Sequence, residues 1–264
     1  NWPAWMCFTD PKTTSKGRKP SQKNAIPSGK VARSLRVLTW NCQGAFRRKH
    51  RLIRRYAADI LVIPECESPG FMAGKGATLP WPNIGWVGEN PAKGLGIFAR
   101  RGISLTLADW HDPRHRFFAP FVVATATNSF PLFAVWTQAE KTISQGYATH
   151  SINALATHRD HLGPEAILAG DFNSSPVFKQ SGKRHVEMNA TLENHGLFSA
   201  YHALRDEAHG AESRATFFLH RDRAKPYHLD YVYAGTGRAQ AAILGQPARW
   251  LSHSDHLPLV VDVG

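Results

Sequence analysis

The feature that most limits what this chain can fold into is a succession of short apolar runs, each closed by glycine, proline or a polar turn. They are LRVLTWN, DILVIPE, NIGWVG, GLGIFAR, ISLTLAD, FAPFVVATA and PLFAVWT, followed later by AILAGD, ATFFL, HLDYVYA and LPLVVDV. Their lengths and their β-branched and aromatic content suit buried strands, which must cover their faces with other layers. Helical spacing predicts helices at 47–58, at 145–162 through Tyr147, Ile152, Leu155 and Leu162, and at 186–196. No repeat of roughly 20–50 residues and no internal linker interrupts this pattern. The expected architecture is α/β (α+β): two packed, mainly antiparallel sheets flanked by helices, in a single domain over 36–264. No run approaches the roughly 18 consecutive apolar residues of a membrane span.

Charge is placed unevenly. The chain has 32 Lys+Arg against 20 Asp+Glu, a net +12. Residues 1–36 carry Lys12, Lys16, Arg18, Lys19, Lys23, Lys30, Arg33 and Arg36 against Asp10 alone. The Pro/Ser/Lys-rich stretch within 1–35 reads as a flexible basic arm, suited either to phosphate contact or to solubility. A second basic zone, AFRRKHRLIRRYAADI, sets Phe46, Ile53, Tyr56 and Ile60 on one helical face and arginines on the other. Those arginines, Arg47 and Arg51 among them, are either solvated or in contact with nucleic acid.

Cys7, Cys42 and Cys66 are odd in number and lack C-x-x-C spacing, which favours a reducing compartment over a disulfide scaffold. The 14 histidines show no zinc-ligand spacing alongside cysteines, so a structural zinc site is not expected. Asn1 to Phe8 has neither the basic segment nor the apolar run of a signal peptide, and the default expectation is a cytoplasmic monomer.

Polar motifs recur where the apolar runs end: Trp40-Asn41, Pro64-Glu65, Gly170-Asp171-Phe172-Asn173, His228-Leu229-Asp230-Tyr231 and Ser254-Asp255-His256-Leu257-Pro258. An oxygen-rich set of this kind suits a hard cation such as Mg²⁺, with Mn²⁺ as a substitute. Taken singly each is an ordinary turn or cap; the conjunction in this order is what carries meaning.

In that order, and most closely in GDFN and SDHLPLVVDV, residues 36–263 resemble the endonuclease/exonuclease/phosphatase superfamily, the family of deoxyribonuclease I, abasic-site endonucleases, inositol polyphosphate 5-phosphatases and bacterial sphingomyelinases. The stretch from GLFSAYHAL to PYHLDYVYA is similar to small bacterial members. The resemblance implies a four-layer α/β sandwich and a Mg²⁺-dependent phosphodiester hydrolase. It also implies roles: Glu65 as the main metal-binding carboxylate with Asp255 nearby, and Asn41 helping to hold water or phosphate at the metal. Asp171 would orient and deprotonate the attacking water, and Asn173 would position the phosphate. His256, polarised by Asp230, would stabilise the charge that builds on a non-bridging oxygen.

The chain departs from the family pattern at two places. Gln43 stands where many members carry an acid, and Trp136, Thr137 and Gln138 stand where many present His or Tyr, a role open to Gln138 or His150. His228, two residues before Asp230, either shares the cleft or is a hydrogen-bonded sheet-end histidine. Trp81, Trp86, Trp110, Trp136 and Trp250 read as core or cleft wall, and Cys42 as a small buried hydrophobe. The expected function is a nuclease with nucleic acid as its substrate. The alternatives are a phosphatase or a phospholipid or inositol phosphate phosphoesterase of the same superfamily, and a non-catalytic nucleic-acid-binding module.

Overall fold

The computed structural model describes residues 34–138 and 146–264; residues 1–33 of the expected arm lie outside the described residues. The chain enters at β1 (Leu35–Thr39) and returns as β2 (Ile60–Cys66), parallel to β1, after α1 (Phe46–Ile53) has crossed over. A parallel pair needs such a crossover, and α1 meets it by burying Phe46 and Ile53 while leaving Arg48, Arg51 and Arg54 in water. After α2 (Pro69–Gly74), whose first turn is capped by the Ser68 hydroxyl accepting from the Phe71 amide at 3.2 Å, β3 (Asn83–Asn90) and β4 (Lys93–Ala99) form a hairpin. With β13 (Ala239–Leu244) and β14 (Leu259–Val263), these strands make a six-stranded sheet in the order β13-β14-β1-β2-β4-β3.

The second sheet is built in the same way. Strands β5 (Ser104–Leu107), β6 (Phe118–Ala124) and β7 (Ser129–Trp136) form an antiparallel meander. Helix α3 (Tyr147–Thr157) then leads to β8 (Ile167–Asp171), parallel to β7. Strands β9 (Leu197–Ser199) and β12 (Asp230–Gly235) complete the six-stranded order β5-β6-β7-β8-β12-β9. Helices α4 (Gly182–Asn194), α5 (Ala200–Arg205) and α6 (Pro247–Trp250) and a small β10 (Phe217–Phe218) and β11 (Pro226–Tyr227) pair fill the connections.

Both sheets are mixed, since each contains one parallel pair among antiparallel ones. One apolar cluster joins them through Val37, Val62, Ile97, Leu132, Ile167 and Val232. A second, with Phe133, Leu155, Leu168, Phe172, Met188 and Leu192, seats α3 and α4 on the outer face of the second sheet. Each such side chain contributes about 1.5–3 kcal/mol by leaving water. The layers are those expected from the sequence.

The predicted helices shift at their ends. The 47–58 helix stops at Ile53 and tightens into a 3-10 turn at Arg54–Tyr56, ended by Ala57 at φ 48°. The 145–162 helix becomes α3 plus a 3-10 turn at Arg159–His161, and the 186–196 helix begins earlier, at Gly182. No helix among the described residues is long and apolar enough to cross a membrane.

Two contacts tie this frame to its sequence. The Arg36 guanidinium donates through Nε and Nη2 to both Asp262 oxygens, at 2.7 and 2.8 Å, bridging β1 and β14. The hydrogen bond from Arg36 holds the Asp262 carboxyl below its ordinary value. A depressed carboxyl stabilises the fold above its unfolded pKa and loses that contribution as pH falls through the folded value. Asp262→Asn should therefore lower neutral stability by about 1 kcal/mol or less, as for a pair near the surface, and flatten the acid limb of the stability-pH curve below about pH 4, where the two proteins converge; parallel curves for the two proteins would refute this. Gly170, beside Val135 in the β7-β8 register, has no room for a side chain: a Cβ there would lie 1.8 Å from the Val135 carbonyl oxygen. Gly170→Ala should cost about 2–4 kcal/mol in a denaturant titration, and a loss under about 0.5 kcal/mol would show that the strands separate easily.

Candidate active site

The strand ends bring the polar motifs to one place. Asn41 follows β1, Glu65 lies near the end of the parallel β2, and Asp171 is the last residue of β8. Asp230 opens β12 and pairs directly with Asp171 across the antiparallel register. His256 precedes β14 in the other sheet and bridges to Phe217. The gap between the sheets is spanned by Asn41, whose amide donates to Asp171 Oδ2 at 3.0 Å and reaches Glu65 Oε1 at 3.4 Å.

Two of these positions depart from ordinary backbone. Glu65 (φ 58°) and Asn173 (φ 47°) both lie in the left-handed region, a conformation that costs non-glycine residues energy and tends to gather at functional sites. At Glu65 it coincides with a bulge in the β2-β4 pairing between Pro64 and Cys66. A bulge re-aims a side chain, and the Glu65 carboxylate is left partly exposed. At Asn173 it lets the side-chain amide donate to Thr137 O at 3.0 Å and to Asp171 Oδ2 at 3.1 Å, while the Asn173 amide nitrogen donates to Asp171 Oδ1 at 2.9 Å.

Asp171 and Asp230 are fully buried, with His256 between them. His256 Nδ1–H donates to Asp230 Oδ2 at 2.8 Å, which turns Nε2 toward Asp171 Oδ2, 3.7 Å away. Burial opposes charge on His256, yet the Asp230 and Asp171 carboxylates outweigh it and raise the imidazole well above its ordinary value. Burial likewise raises Asp171, with His256 pulling the other way and Asp230 adding to the rise. The result is an imidazolium that can donate from Nε2 beside a carboxylate poised to accept a proton near neutral pH. Hydroxyl and backbone contacts fix the frame: Thr216 Oγ1 accepts from the Leu229 and Asp230 amides at 2.9 and 3.0 Å, and Trp40 Nε1 donates to His256 O at 3.0 Å.

Glu65, Asn41 and Asp255 offer oxygen donors only, the chemistry a hard divalent cation prefers. Lys93 Nζ lies 3.2 Å from Glu65 Oε2 and is half exposed, so the carboxylate already draws a cation from a side chain that can swing aside. These residues therefore fit a divalent metal.

Other expectations are placed as follows. Gln43, standing where many relatives have an acid, donates to Asp255 Oδ2 at 2.9 Å and accepts from Arg221. Arg47 is drawn inward to the buried Glu67, whereas Arg51 is exposed on α1. His228 turns away from the cleft: its Nδ1–H donates to Arg214 O at 3.0 Å and its ring lies against Tyr201 and His202. His150 sits on α3 beside His115, while Gln138 lines a cavity with Trp136. Trp81 and Trp250 are core and Trp136 is cavity wall. Cys42 is buried, its thiol pushed up to about 12 by desolvation. Lys93 was not anticipated; its place at the β3-β4 turn, facing Glu65, depends on sheet pairing that spacing does not reveal.

The model of the Endonuclease/Exonuclease/phosphatase family matches residues 38–256. The chain belongs to that family. Its members are hydrolases acting on phosphoester bonds and are generally dependent on divalent metal. Among solved structures, the fold is shared with an AP endonuclease from Archaeoglobus fulgidus (TM-score 0.62, 16% identity, 87% of this chain and 99% of that one). It is shared with the 3' phosphatase NExo from Neisseria bound to a product DNA hairpin (0.62, 16%, 88% and 100%). The AP endonuclease LMAP from Leishmania major is similar at 0.64, with 13% identity over 94% and 92%. No curated protein matches the chain in sequence.

In this family member, Ser254 links the two halves of the site. Its hydroxyl donates to Asn41 O at 2.7 Å and accepts from the His256 amide at 3.1 Å. Ser254→Ala should lower stability by about 1–3 kcal/mol through two buried groups left unsatisfied, measured by urea denaturation. An unchanged midpoint would mean that water replaces the hydroxyl.

Proposed function

We propose that the chain is a divalent-metal-dependent phosphodiester hydrolase acting on nucleic acid, most simply a nuclease. The observation that carries this reading is the buried Asp171–His256–Asp230 arrangement, joined by Asn41 to the partly exposed Glu65. Phosphoryl transfer needs a water aligned opposite the leaving group and relief of charge on the phosphate. Asp171 accepts the proton of the attacking water, with Asn41 and Asn173 fixing the carboxylate from two sides. His256, held by Asp230, donates from Nε2 to a non-bridging oxygen and offsets the charge that grows there. Glu65, Asn41 and Asp255 would hold Mg²⁺, with Mn²⁺ as substitute, which when bound supplies Lewis-acid polarisation of the phosphate.

Two features favour a nucleic acid substrate. A cavity of about 300 Å³ beside Glu65 and its partner Lys93 is lined by Glu89, Asn90, Lys93, Arg116, Phe117, Trp136 and Gln138, with Lys93 Nζ 5.5 Å above the Trp136 ring and Arg116 paired to Glu89 at 2.6 Å. Aromatic walls with cationic heads suit a base and its phosphate. The exposed arginines of α1 add positive charge to the described surface, and the sequence before β1 is rich in Lys and Arg.

Supercoiled plasmid, single-stranded DNA and RNA should be cut by the purified protein with Mg²⁺ and left intact with EDTA. Asp171→Asn should lower kcat at least about 10³-fold and Asp230→Asn about 10²–10⁴-fold, and KM should rise steeply with salt. Intact nucleic acid alongside phosphate release from phosphomonoesters or inositol phosphates would move the substrate to those compounds, and wild-type turnover of none of them would leave a binding module.

A further inference from the structure

A second polar cluster lies behind β12, apart from the phosphoester site. His202 on α5 and His209 and Glu212 on the following loop each offer a ligand atom, all within 4.8 Å of one another. His185 of α4 adjoins them, its Nε2 3.2 Å from His209 Nδ1, and the His228 ring lies 5.3 Å from that of His202. None of these side chains has a part in the proposed phosphoester chemistry.

For three of the four rings the hydrogen bond on the far side is that of a metal-ligating histidine; the loop residue His209, whose Nδ1 faces His185 Nε2, has no such anchor. Such a histidine usually anchors one ring nitrogen to a protein oxygen, which fixes the tautomer and directs the other nitrogen at the ion. Here His202 Nδ1 is 2.7 Å from Ser199 Oγ, His185 Nδ1 is 3.0 Å from Ser174 Oγ, and His228 Nδ1–H donates to Arg214 O at 3.0 Å. His228 Nε2 is then a bare lone pair, and it is buried without a hydrogen-bond partner in a residue 2% exposed. A buried acceptor left unpaired is costly, and a ligand would recover that cost. On the near side, His202 Nε2 stands 3.1 Å from Glu212 Oε1. The Gly210 amide donates to the same oxygen at 2.9 Å, shaping the loop around the carboxylate.

We propose that His202, His209 and Glu212 form a structural zinc site, with His228 as the neighbouring nitrogen donor. Imidazole and carboxylate ligands suit Zn²⁺ and are a poor match for Mg²⁺, so the two sites divide by ligand chemistry. The His202 and His209 rings stack at 3.6 Å, 10° from parallel, so a shared ion requires one ring to turn. His209 is the one able to do so, being half buried on the loop, while His202 is buried and anchored by Ser199. The site would pin the loop after α5 against β12. That loop runs on to Thr216, whose hydroxyl accepts from the Asp230 amide, so zinc would brace the catalytic strand from behind without touching substrate. The three ligands lie within the 11 residues from His202 to Glu212, but they include no cysteine and follow no established zinc spacing, so the sequence alone does not single them out.

The test uses the purified chain in Mg²⁺, stripped with a chelator and titrated with Zn²⁺ against a chromogenic competitor, with bound metal counted by mass spectrometry after desalting. We expect one tightly held zinc per chain in the wild type and in Glu65→Gln, and a thermal midpoint raised by zinc in both. His209→Ala and Glu212→Gln, both at half-buried loop positions, should weaken zinc more than about 100-fold, beyond the 10–100-fold that loss of an outer partner costs, and should lose the thermal shift. Wild-type protein that retains no stoichiometric zinc overturns the proposal. So does undiminished affinity in both loop variants, or loss of zinc in Glu65→Gln alone, which would place the ion at the phosphoester site. These readouts do not depend on which phosphoester is cleaved.

Discussion

Two carboxylates buried side by side at the meeting of two strands are tolerable only with a cation between them, and His256 is that cation. Asp171 and Asp230 face each other across the β8-β12 register, and the imidazole donates to one while directing its second nitrogen at the other. Removed from water without it, the pair would be strongly repulsive, and one carboxylate would stay protonated. Much of the surrounding structure serves to hold His256 in that slot. Trp40, Ser254 and the Phe217 bridge fix its backbone, and the first two tie it to the segment that carries Asn41. The chemistry of the cleft and the alignment of the two sheets are thus a single constraint.

The same constraint explains where backbone strain is stored. Among the non-glycine residues with left-handed backbone, which include Gln43, Ala45 and Ala57, Glu65 and Asn173 are two at the site. In each case the gain is directional. Glu65 leaves the pleat of β2 to face solvent and Lys93, and Asn173 closes back on Asp171, its side-chain amide sharing Oδ2 with that of Asn41. A regular strand end would have sent those side chains elsewhere, and the packed sheets beneath make the distortion affordable.

Much of this was legible in the sequence. The runs from LRVLTWN to LPLVVDV became strands because period and composition agreed, and GDFN and SDHLP marked the two ends of the Asp171–His256 contact. What escaped was short or depended on partners. Helices α2 and α6 span single turns, and β9 and β13 are edge strands, exposed along part of their length, whose apolar signal is weak. Arg47 looked like its neighbours on α1, yet the buried Glu67, some twenty residues away, draws it inward. His228 alternates with Asp230, but the strand proper begins only at Asp230, so the two side chains part company and His228 joins the histidines of α4 and α5.

By itself the sequence determined the layer composition, most of the strands and the identity of the polar residues at the strand ends. These are local properties, set by hydrophobic period, turn residues and the habit of polar groups to sit where strands stop. Only the tertiary structure decided which of those residues meet. Register placed Asp230 against Asp171, sheet packing brought Asn41 within 3.0 Å of Asp171, and the loop after α5 gathered histidines from separate segments. The reason is physical: hydrogen bonds, ion pairs and metal ligation act over a few ångströms, whereas the residues that make them are separated along the chain by as many as 226 positions, as in Arg36 and Asp262.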